Sequence, residues 1–400
     1  MGELAAGSAV QPRLAPDVPS PRLTAIDLLR GAIMALMVVD HVRVFAGVRP
    51  GGPDPAVFFT RWITHFCAPG FVFFAGVAAF LHGEKLGSRV ALSRWLVLRG
   101  LWLIVLELTW MRWSWTFNLQ YQEYLLAGVL WAIGWSMIAL GGLVFLPPRL
   151  VGAIGLSLIA LHDLADPHLR SLSAAAQGSR LGWLWQILYF GGSIGPLVIL
   201  YSLIPWIGVI AAGWAFGPIL QLPAERRGRI CLAVGGGAIA AFLVLRGFDL
   251  YGDPRPFHQP GSSVPALLRF LNTNKYPASL LFLLMTLGPL IALIPFAERA
   301  RGPVARILVT LGKAPLFFYV VHVPLIHGLA LLVSLVRERR FDPWLFENHP
   351  MGMSPAPEGY RFSLWLLYAV AAIALAILVP LSGWYVEQKR AGRARWPALF

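Results

Sequence analysis

The stretch that decides the fold is IDLLRGAIMALMVVDHVR, which runs from Ile26 to Arg43. Its titratable residues stand near the two ends, and the nine residues between Arg30 and Asp40 are uncharged. Positions 27, 30, 34, 37 and 41 are spaced alternately by three and four residues, which places their side chains on one face of an α-helix. The sequence therefore predicts an apolar helix that carries an arginine and a histidine on one stripe.

The composition of the whole chain extends this reading. The 400 residues are 57% hydrophobic and 13% charged, whereas soluble globular chains carry roughly 25% charged residues. The chain also has 16 Trp, 24 Phe and 10 Tyr, and such rings anchor helices at the level of the lipid headgroups. We therefore expect a lipid bilayer as the main solvent of this protein.

The net charge of +14 invites a nucleic-acid interpretation, which the distribution of the charge excludes. The basic residues fall in short runs between apolar stretches, where they set membrane topology instead of forming one basic face. The two cysteines, Cys67 and Cys231, each lie inside an apolar stretch. The pattern therefore predicts neither a disulfide framework nor a metal site.

Ten stretches approach the length of about 20 apolar residues that a membrane-crossing helix needs. They are 27–47, 59–81, 93–111, 124–146, 149–165, 198–217, 228–246, 277–296, 312–336 and 363–387. Because every backbone group in lipid must be satisfied internally, we expect an all-α, polytopic integral membrane helical bundle. Residues 22–390 form its single domain, between a disordered tail at 1–21 and a short basic tail at 391–400. The aromatic piece 182–192 is either an interfacial helix or an extra crossing.

The distribution of basic residues predicts the orientation. With both termini inside, more than half of the 33 Lys and Arg residues fall on the cytoplasmic side, as the positive-inside rule requires. We expect a plasma (inner) membrane protein with cytoplasmic N- and C-termini. The three long connections, 166–196, 247–276 and 337–361, then lie outside.

Arg30 and His41 are the sharpest functional signal. They are eleven residues apart, about three turns or roughly 16 Å along a helix, and they point the same way. Ionisable side chains inside a membrane span are costly and mark functional sites, and a neutral imidazole suits general-base work. The structural alternative is that Arg30 reaches the headgroups while His41 packs through one hydrogen bond. Asp27 is expected to pair with Arg30 at i,i+3.

Further polar residues lie near the expected outer side. Asp253, in the turn YGDP, is a candidate for orienting a substrate or a histidine, or for stabilising the turn. Glu107 and Arg112 are expected to neutralise each other at the end of the third span. The candidate substrate-binding residues are Arg61, His65, Asn274, Lys275, Tyr276 and His322.

The spacing of Arg30 and His41, with ten residues between them, resembles the signature of the membrane acyltransferase-3 family. The wider pattern more closely resembles the bacterial membrane proteins grouped with heparan-α-glucosaminide N-acetyltransferase. The matching stretches are IDLLRG at 26–31, DH at 40–41, RWITHFCAP at 61–69, GVLWAIG at 128–134, PWIG at 205–208, YGDP at 251–254, NKYPASL at 274–280 and PLFFYVVH at 315–322. They are spread over almost the whole chain.

The resemblance implies a membrane-embedded acyltransferase. It would move an acetyl group from cytoplasmic acetyl-CoA to an amine or hydroxyl acceptor on the outer side, such as a sugar of the cell envelope. His41 would be the base or a transient acyl carrier, tuned by Asp40 or Asp253, and Arg30 would meet the phosphates of the donor. In the lysosomal enzyme the proposed active histidine follows the first span, so either His41 or His65 is its counterpart.

Two other classes remain open from the sequence. Intramembrane ionisable residues also mark the paths of transporters and flippases for polar solutes, although the chain lacks the inverted repeats that many transporters show. A non-catalytic envelope-assembly protein would use the same groups to hold helices together. Homo-oligomers are compatible with all three classes.

Overall fold

The structure is a computed structural model that describes residues 21–49, 53–165, 181–347 and 355–393. Residues 1–20 and 394–400, which make up most of the two predicted tails, lie outside the described residues. So do residues 166–180, the first half of the predicted outer connection 166–196.

The first half of the described chain is a series of helices with one short strand. Its elements are α1 (Pro21–Phe45), α2 (Pro55–Trp62), α3 (Cys67–Leu86), α4 (Arg89–Leu106), α5 (Arg112–Thr116), β1 (Leu125–Ala127), α6 (Val129–Leu143), α7 (Pro148–Leu161), α8 (Gly182–Trp185), β2 (Gly192–Ile194) and β3 (Leu197–Ile199). A 3-10 turn, Ile63–Phe66, joins α2 to α3, and a π-helical turn, Glu107–Met111, joins α4 to α5.

The second half is helical. Its elements are α9 (Ile204–Leu220), α10 (Ala224–Gly247), α11 (Ala266–Leu271), α12 (Leu280–Ala292), α13 (Ile294–Arg299), α14 (Pro303–Gly312), α15 (Pro315–Glu338) and α16 (Leu364–Arg390).

Each of the ten predicted apolar stretches overlaps at least one helix, and the prediction of a helical membrane protein is confirmed. In the described part of the chain, five helical segments are long and apolar enough to cross a membrane: Pro55–Leu86, Ala224–Gly247, Leu280–Arg299, Pro315–Glu338 and Leu364–Arg390. The full count of ten crossings and the cytoplasmic placement of the termini stay predictions.

The fold departs from an all-α architecture in one place. β3 pairs with β1 in parallel and with β2 in antiparallel orientation. Because each strand has three residues, none leaves the alternating pattern from which a strand is recognised. β1 and β3 directly precede α6 and α9, so this small sheet ties together the starts of two helices. The piece predicted at 182–192 forms α8 and a π-helical turn, too short to cross a bilayer.

α1 lies inside the bundle, against α3, α13, α14, α15 and α16. Its closest crossing is with α14 and depends on two glycines. A Cβ added to Gly31 would overlap the backbone carbonyl of Leu308, and one added to Gly312 would overlap the carbonyl of Asp27. This crossing keeps the polar residues of α1 among protein groups.

We predict that Gly31→Ala lowers the thermal unfolding midpoint of the purified protein in nanodiscs. Overpacking a tight contact costs about 1–3 kcal/mol. The matched control is Gly237→Ala, because nothing lies within 4 Å of a Cβ added there and alanine favours the helix. Equal midpoints for the two variants would contradict the close crossing.

Candidate active site

A hydrogen bond between two histidines lies at the centre of the site. His41 Nδ1 is 2.7 Å from His322 Nε2, and His322 Nδ1 is 2.6 Å from the carbonyl oxygen of Tyr319. A carbonyl oxygen only accepts, so neutral His322 carries its proton on Nδ1 and accepts at Nε2. His41 must therefore donate from Nδ1. In its neutral form it keeps a lone pair on Nε2.

Aromatic rings pack around this pair and leave one nitrogen without a partner. The side chain of His322 is fully buried, and its ring stacks on that of His41 with centroids 4.8 Å apart. Trp115 meets the His41 ring edge-on at 4.9 Å. Nε2 of His41 has no hydrogen-bond partner in the described part of the chain. The geometry thus presents one basic nitrogen of fixed tautomer.

A proline explains how α15 is linked to the π-helical turn after α4. Pro324 lies inside α15 and has no backbone N–H, so the carbonyl four residues earlier loses its helical partner. That carbonyl, of Val320, accepts instead from the indole N–H of Trp110 at 2.9 Å. Trp110 lies in the π-helical turn after α4. The helical hydrogen bond that Pro324 cannot make is thus replaced by a bond from α15 to the π-helical turn, two residues before His322.

Asp40 does not bond to His41. α1 is unbroken here, and Asp40 forms an ion pair with Arg43, with Oδ1 3.0 Å from Nη2. Arg43 also donates to the carbonyl of Val48 at 2.9 Å. The charge of Asp40 nevertheless acts on the imidazole of His41.

Several predicted site residues come together beside Asp40 from three separate segments. We call Asp40, Arg43, Arg61, His65 and Lys275 the outer polar cluster, after the side of the membrane that the sequence predicts for them. The charges of its three cations act on the carboxylate of Asp40, and that of Lys275 also acts on His41 and His65. The cluster and the histidine pair are therefore neighbours.

Three members of the outer polar cluster lack partners. The guanidinium of Arg61, on α2, and the ammonium of Lys275 have no hydrogen bond or ion pair among the described residues. His65, in the 3-10 turn, is only 3% exposed, and neither of its ring nitrogens has a partner. Its ring meets that of Phe282 edge-on at 5.5 Å.

Asp253 and Asn274 shape the loop that carries Lys275. Asp253 Oδ2 accepts from the backbone N–H of Asn274 at 2.6 Å and from the hydroxyl of Ser279 at 2.9 Å. The side-chain amide of Asn274 donates to the carbonyl of Pro277 at 3.0 Å. The expected contact of Asp253 with a histidine is not formed, because its bonds go to this loop. Tyr276 packs edge-on against Tyr201, with ring centroids 5.4 Å apart.

Arg30 lies apart from the outer polar cluster and lines a cavity of about 470 Å³. Arg99, Lys389 and His82 join it in the lining, and most of the other walls are apolar. Arg30 is ion-paired with Asp27, as the spacing predicted. The cavity also reaches Tyr319, whose carbonyl holds His322.

Sequence reasoning missed part of this arrangement. Arg99 and Lys389 are not distinguished in the sequence, because basic residues in and beside apolar stretches also set membrane topology. The predicted pairing of Glu107 with Arg112 is wrong, because each side chain bonds to backbone groups elsewhere. Glu107 instead accepts the backbone N–H of Leu130 at 2.7 Å at the start of α6. Arg112 donates to backbone carbonyls, including that of Tyr124 at 2.8 Å.

The donor set does not resemble a metal centre. Among the described residues, no group of three or more His, Cys, Asp or Glu side chains is placed to hold a metal ion. The groups that this site offers for chemistry are its histidines and its cations.

The fold is a helical membrane bundle that holds a histidine pair and, apart from it, a cavity lined by cations. Residues 22–247 match the family described as heparan-alpha-glucosaminide N-acetyltransferase, catalytic. The match covers more than half of the chain, which belongs to this family, as its motifs predicted. No curated protein matches the chain.

The matched segment contains only part of the site. Arg30, His41, Arg61 and His65 lie within residues 22–247, whereas Lys275 and His322 lie beyond it. The further resemblance to the acyltransferase-3 family depends on the spacing of Arg30 and His41 alone.

We predict that Asp253→Ala loosens the loop around Lys275. The variant leaves Asn274 N–H and the Ser279 hydroxyl without their charged acceptor, at a cost of about 1–3 kcal/mol. Limited trypsin digestion followed by mass spectrometry should show faster cleavage after Lys275. Asp54→Ala is the control, because Asp54 also accepts backbone N–H groups, at the start of α2. Equal cleavage in the two variants would argue against this role.

Proposed function

We propose that this protein is a membrane-embedded acyltransferase that moves an acyl group, acetyl in the simplest case, from acyl-CoA to an amine or hydroxyl acceptor. The observation that carries the proposal is the hydrogen bond from His41 Nδ1 to His322 Nε2. It leaves His41 with a basic nitrogen of defined tautomer inside a protein of an N-acetyltransferase family.

His41 acts as the general base. As the acceptor nitrogen or oxygen forms a bond to the carbonyl carbon of the thioester, Nε2 of His41 takes the acceptor proton. The C–S bond then breaks, and CoA leaves as a thiolate that takes this proton from His41 and becomes a thiol. The imidazolium formed in between is stabilised by its bond to His322 and by the negative charge of Asp40.

His322 and Asp253 take roles other than those expected from the sequence. Both nitrogens of His322 are engaged, so it is a positioning residue for His41 and does not bind substrate. Asp253 positions the loop of Lys275 and Tyr276. Of the two candidate histidines, His41 is the base, because only it has a partner that sets its tautomer.

The cavity at Arg30 binds the donor. Cationic side chains suit the phosphates of CoA, and apolar walls suit the pantetheine arm and the acyl group. The acyl end points towards Tyr319 and hence towards the histidine pair. We place the Arg30 end in the cytoplasm and the acceptor, such as an envelope sugar, on the outer side of the plasma membrane.

We predict that His41→Ala lowers acetyl transfer by roughly 10²–10⁴-fold, the usual contribution of general-base catalysis. The assay uses full-length protein in liposomes, labelled acetyl-CoA and a panel of amino sugars. His258→Ala is the control, since His258 is exposed and bonds to Asp249. His322→Gln, which still offers an acceptor oxygen to His41, should keep more activity than His322→Ala at equal stability. Transfer at the wild-type rate by His41→Ala would exclude the mechanism.

We predict that Arg30→Gln raises KM for acetyl-CoA by roughly tenfold or more, because a hydrogen bond to a charged group contributes about 1.5–3 kcal/mol. The kcat should change little, since Arg30 and the base lie about three turns apart. Steady-state kinetics check both constants. Arg229→Gln is the matched control, because Arg229 is exposed on α10. An unchanged KM for acetyl-CoA in Arg30→Gln would contradict the proposal that the donor binds in this cavity.

A further inference from the structure

Lys275 is a buried cation whose charge no protein group binds directly. The residue is only 8% exposed, yet its ammonium has no hydrogen bond or ion pair among the described residues. Its Nζ lies 5.3 Å from the centre of the ring of Tyr276. Unlike the ring nitrogens of His65, which are sealed from solvent, Nζ keeps some accessible surface. A ligand atom can therefore reach this nitrogen.

Arg61 repeats this situation from another helix. Its backbone carbonyl accepts from the hydroxyl of Thr64, but its guanidinium has no partner in the described part of the chain. The charge of Arg61 acts on Asp40 and on His65, and so does the charge of Lys275. Two unpaired cations thus act on the same two neighbours, one from α2 and one from the loop before α12.

The charges of the outer polar cluster do not balance. Arg43, Arg61 and Lys275 are cationic, and Asp40 is the one carboxylate among the cluster's five members. Asp40 is already held by Arg43 at 3.0 Å. Arg255 adds a further positive influence on Arg61. Two positive charges are therefore left over, and burying uncompensated charge is expensive.

His65 is a third member of the cluster without a hydrogen-bond partner. It is more than nine-tenths buried, and both of its ring nitrogens lack hydrogen bonds. A neutral imidazole offers one N–H donor. Two cations and one N–H donor form a set suited to the several oxygens of an oxyanion.

We infer that the outer polar cluster binds an anionic group of the acceptor, a carboxylate, sulfate or phosphate, with Lys275 and Arg61 as its ligands and His65 as an additional donor. Placing this anion on the acceptor rests on the proposed function, because Lys275 acts on His41 as well as on Asp40. An anion anchored there holds its own molecule beside the base. The anion site itself does not require that transfer occurs.

Selectivity follows from the same charges. A neutral acceptor leaves both cations uncompensated, and a site built for a polar group rejects ligands that lack it more strongly than an apolar pocket rejects a change of size. The preferred acceptors are therefore amines or alcohols that also carry an acidic group.

The test measures binding separately from transfer. Full-length protein in phosphatidylcholine nanodiscs is titrated with glucosamine, glucosamine 6-sulfate, glucosamine 6-phosphate and muramic acid, and thermal unfolding is followed by tryptophan fluorescence. We expect at least one anionic probe to stabilise the protein saturably, with glucosamine giving little effect. Lys275→Gln and Arg61→Gln should each weaken the binding by roughly tenfold or more. Lys275→Arg, which keeps the charge, should retain most of it, and Arg229→Gln should match wild type.

Three results would overturn the inference. They are equal binding of glucosamine and the anionic probes, unchanged binding in both Gln variants, and stabilisation by phosphatidylglycerol in the nanodisc with none by the soluble anions. The last result would assign the cations to a lipid headgroup.

Acetyl-transfer assays separate this inference from the proposed function. Charge-dependent binding without transfer to any probe would support the anion site and count against the acyltransferase. Transfer to glucosamine and to glucosamine 6-sulfate with equal kcat/KM would support the acyltransferase and count against the anion site.

Discussion

The hydrogen bond from His41 to His322 depends on two helices that approach each other closely inside a membrane protein. α1 reaches this position because glycines allow it to cross α14 at backbone distance. α15 is held by the indole of Trp110 on the carbonyl that Pro324 leaves free. A polar group inside such a bundle finds few water molecules for hydrogen bonding, so its protein partner determines its protonation and its tautomer. Here the series of hydrogen bonds runs from His41 to His322 and ends on the backbone carbonyl of Tyr319, which can only accept.

α1 separates two electrostatic environments along one axis. At the Arg30 end, cations and apolar walls surround a cavity large enough for part of an elongated ligand. At the other end, cations gather around Asp40 beside the histidine pair. Tyr319 lies between them, because it lines the cavity and its carbonyl also holds His322. Two ligands that enter from opposite ends would thus meet near the same imidazole.

Much of the fold follows from the sequence, because apolar length predicts helices in lipid and the motifs identify the family. The polar stripe on α1 and the gathering of Arg61, His65 and Lys275 also follow from their positions near expected span ends. The partner of His41 does not follow, since it lies 281 residues away and Asp40 was the nearer choice. Proximity in sequence also misassigned Glu107 and Arg112. The three short strands were missed because three residues carry no period.

The boundary of the family match has a consequence for how such proteins diversify. The proposed base, His41, lies in the segment that matches the family, whereas its partner His322 on α15 and Lys275 in the loop before α12 lie beyond that segment. On the proposed function, substitutions in the loop before α12 would alter which acceptors bind and leave the matched segment unchanged. Conversely, a chain that ended after Gly247 would keep the segment that matches the family but would lose His322, whose imidazole fixes the tautomer of His41.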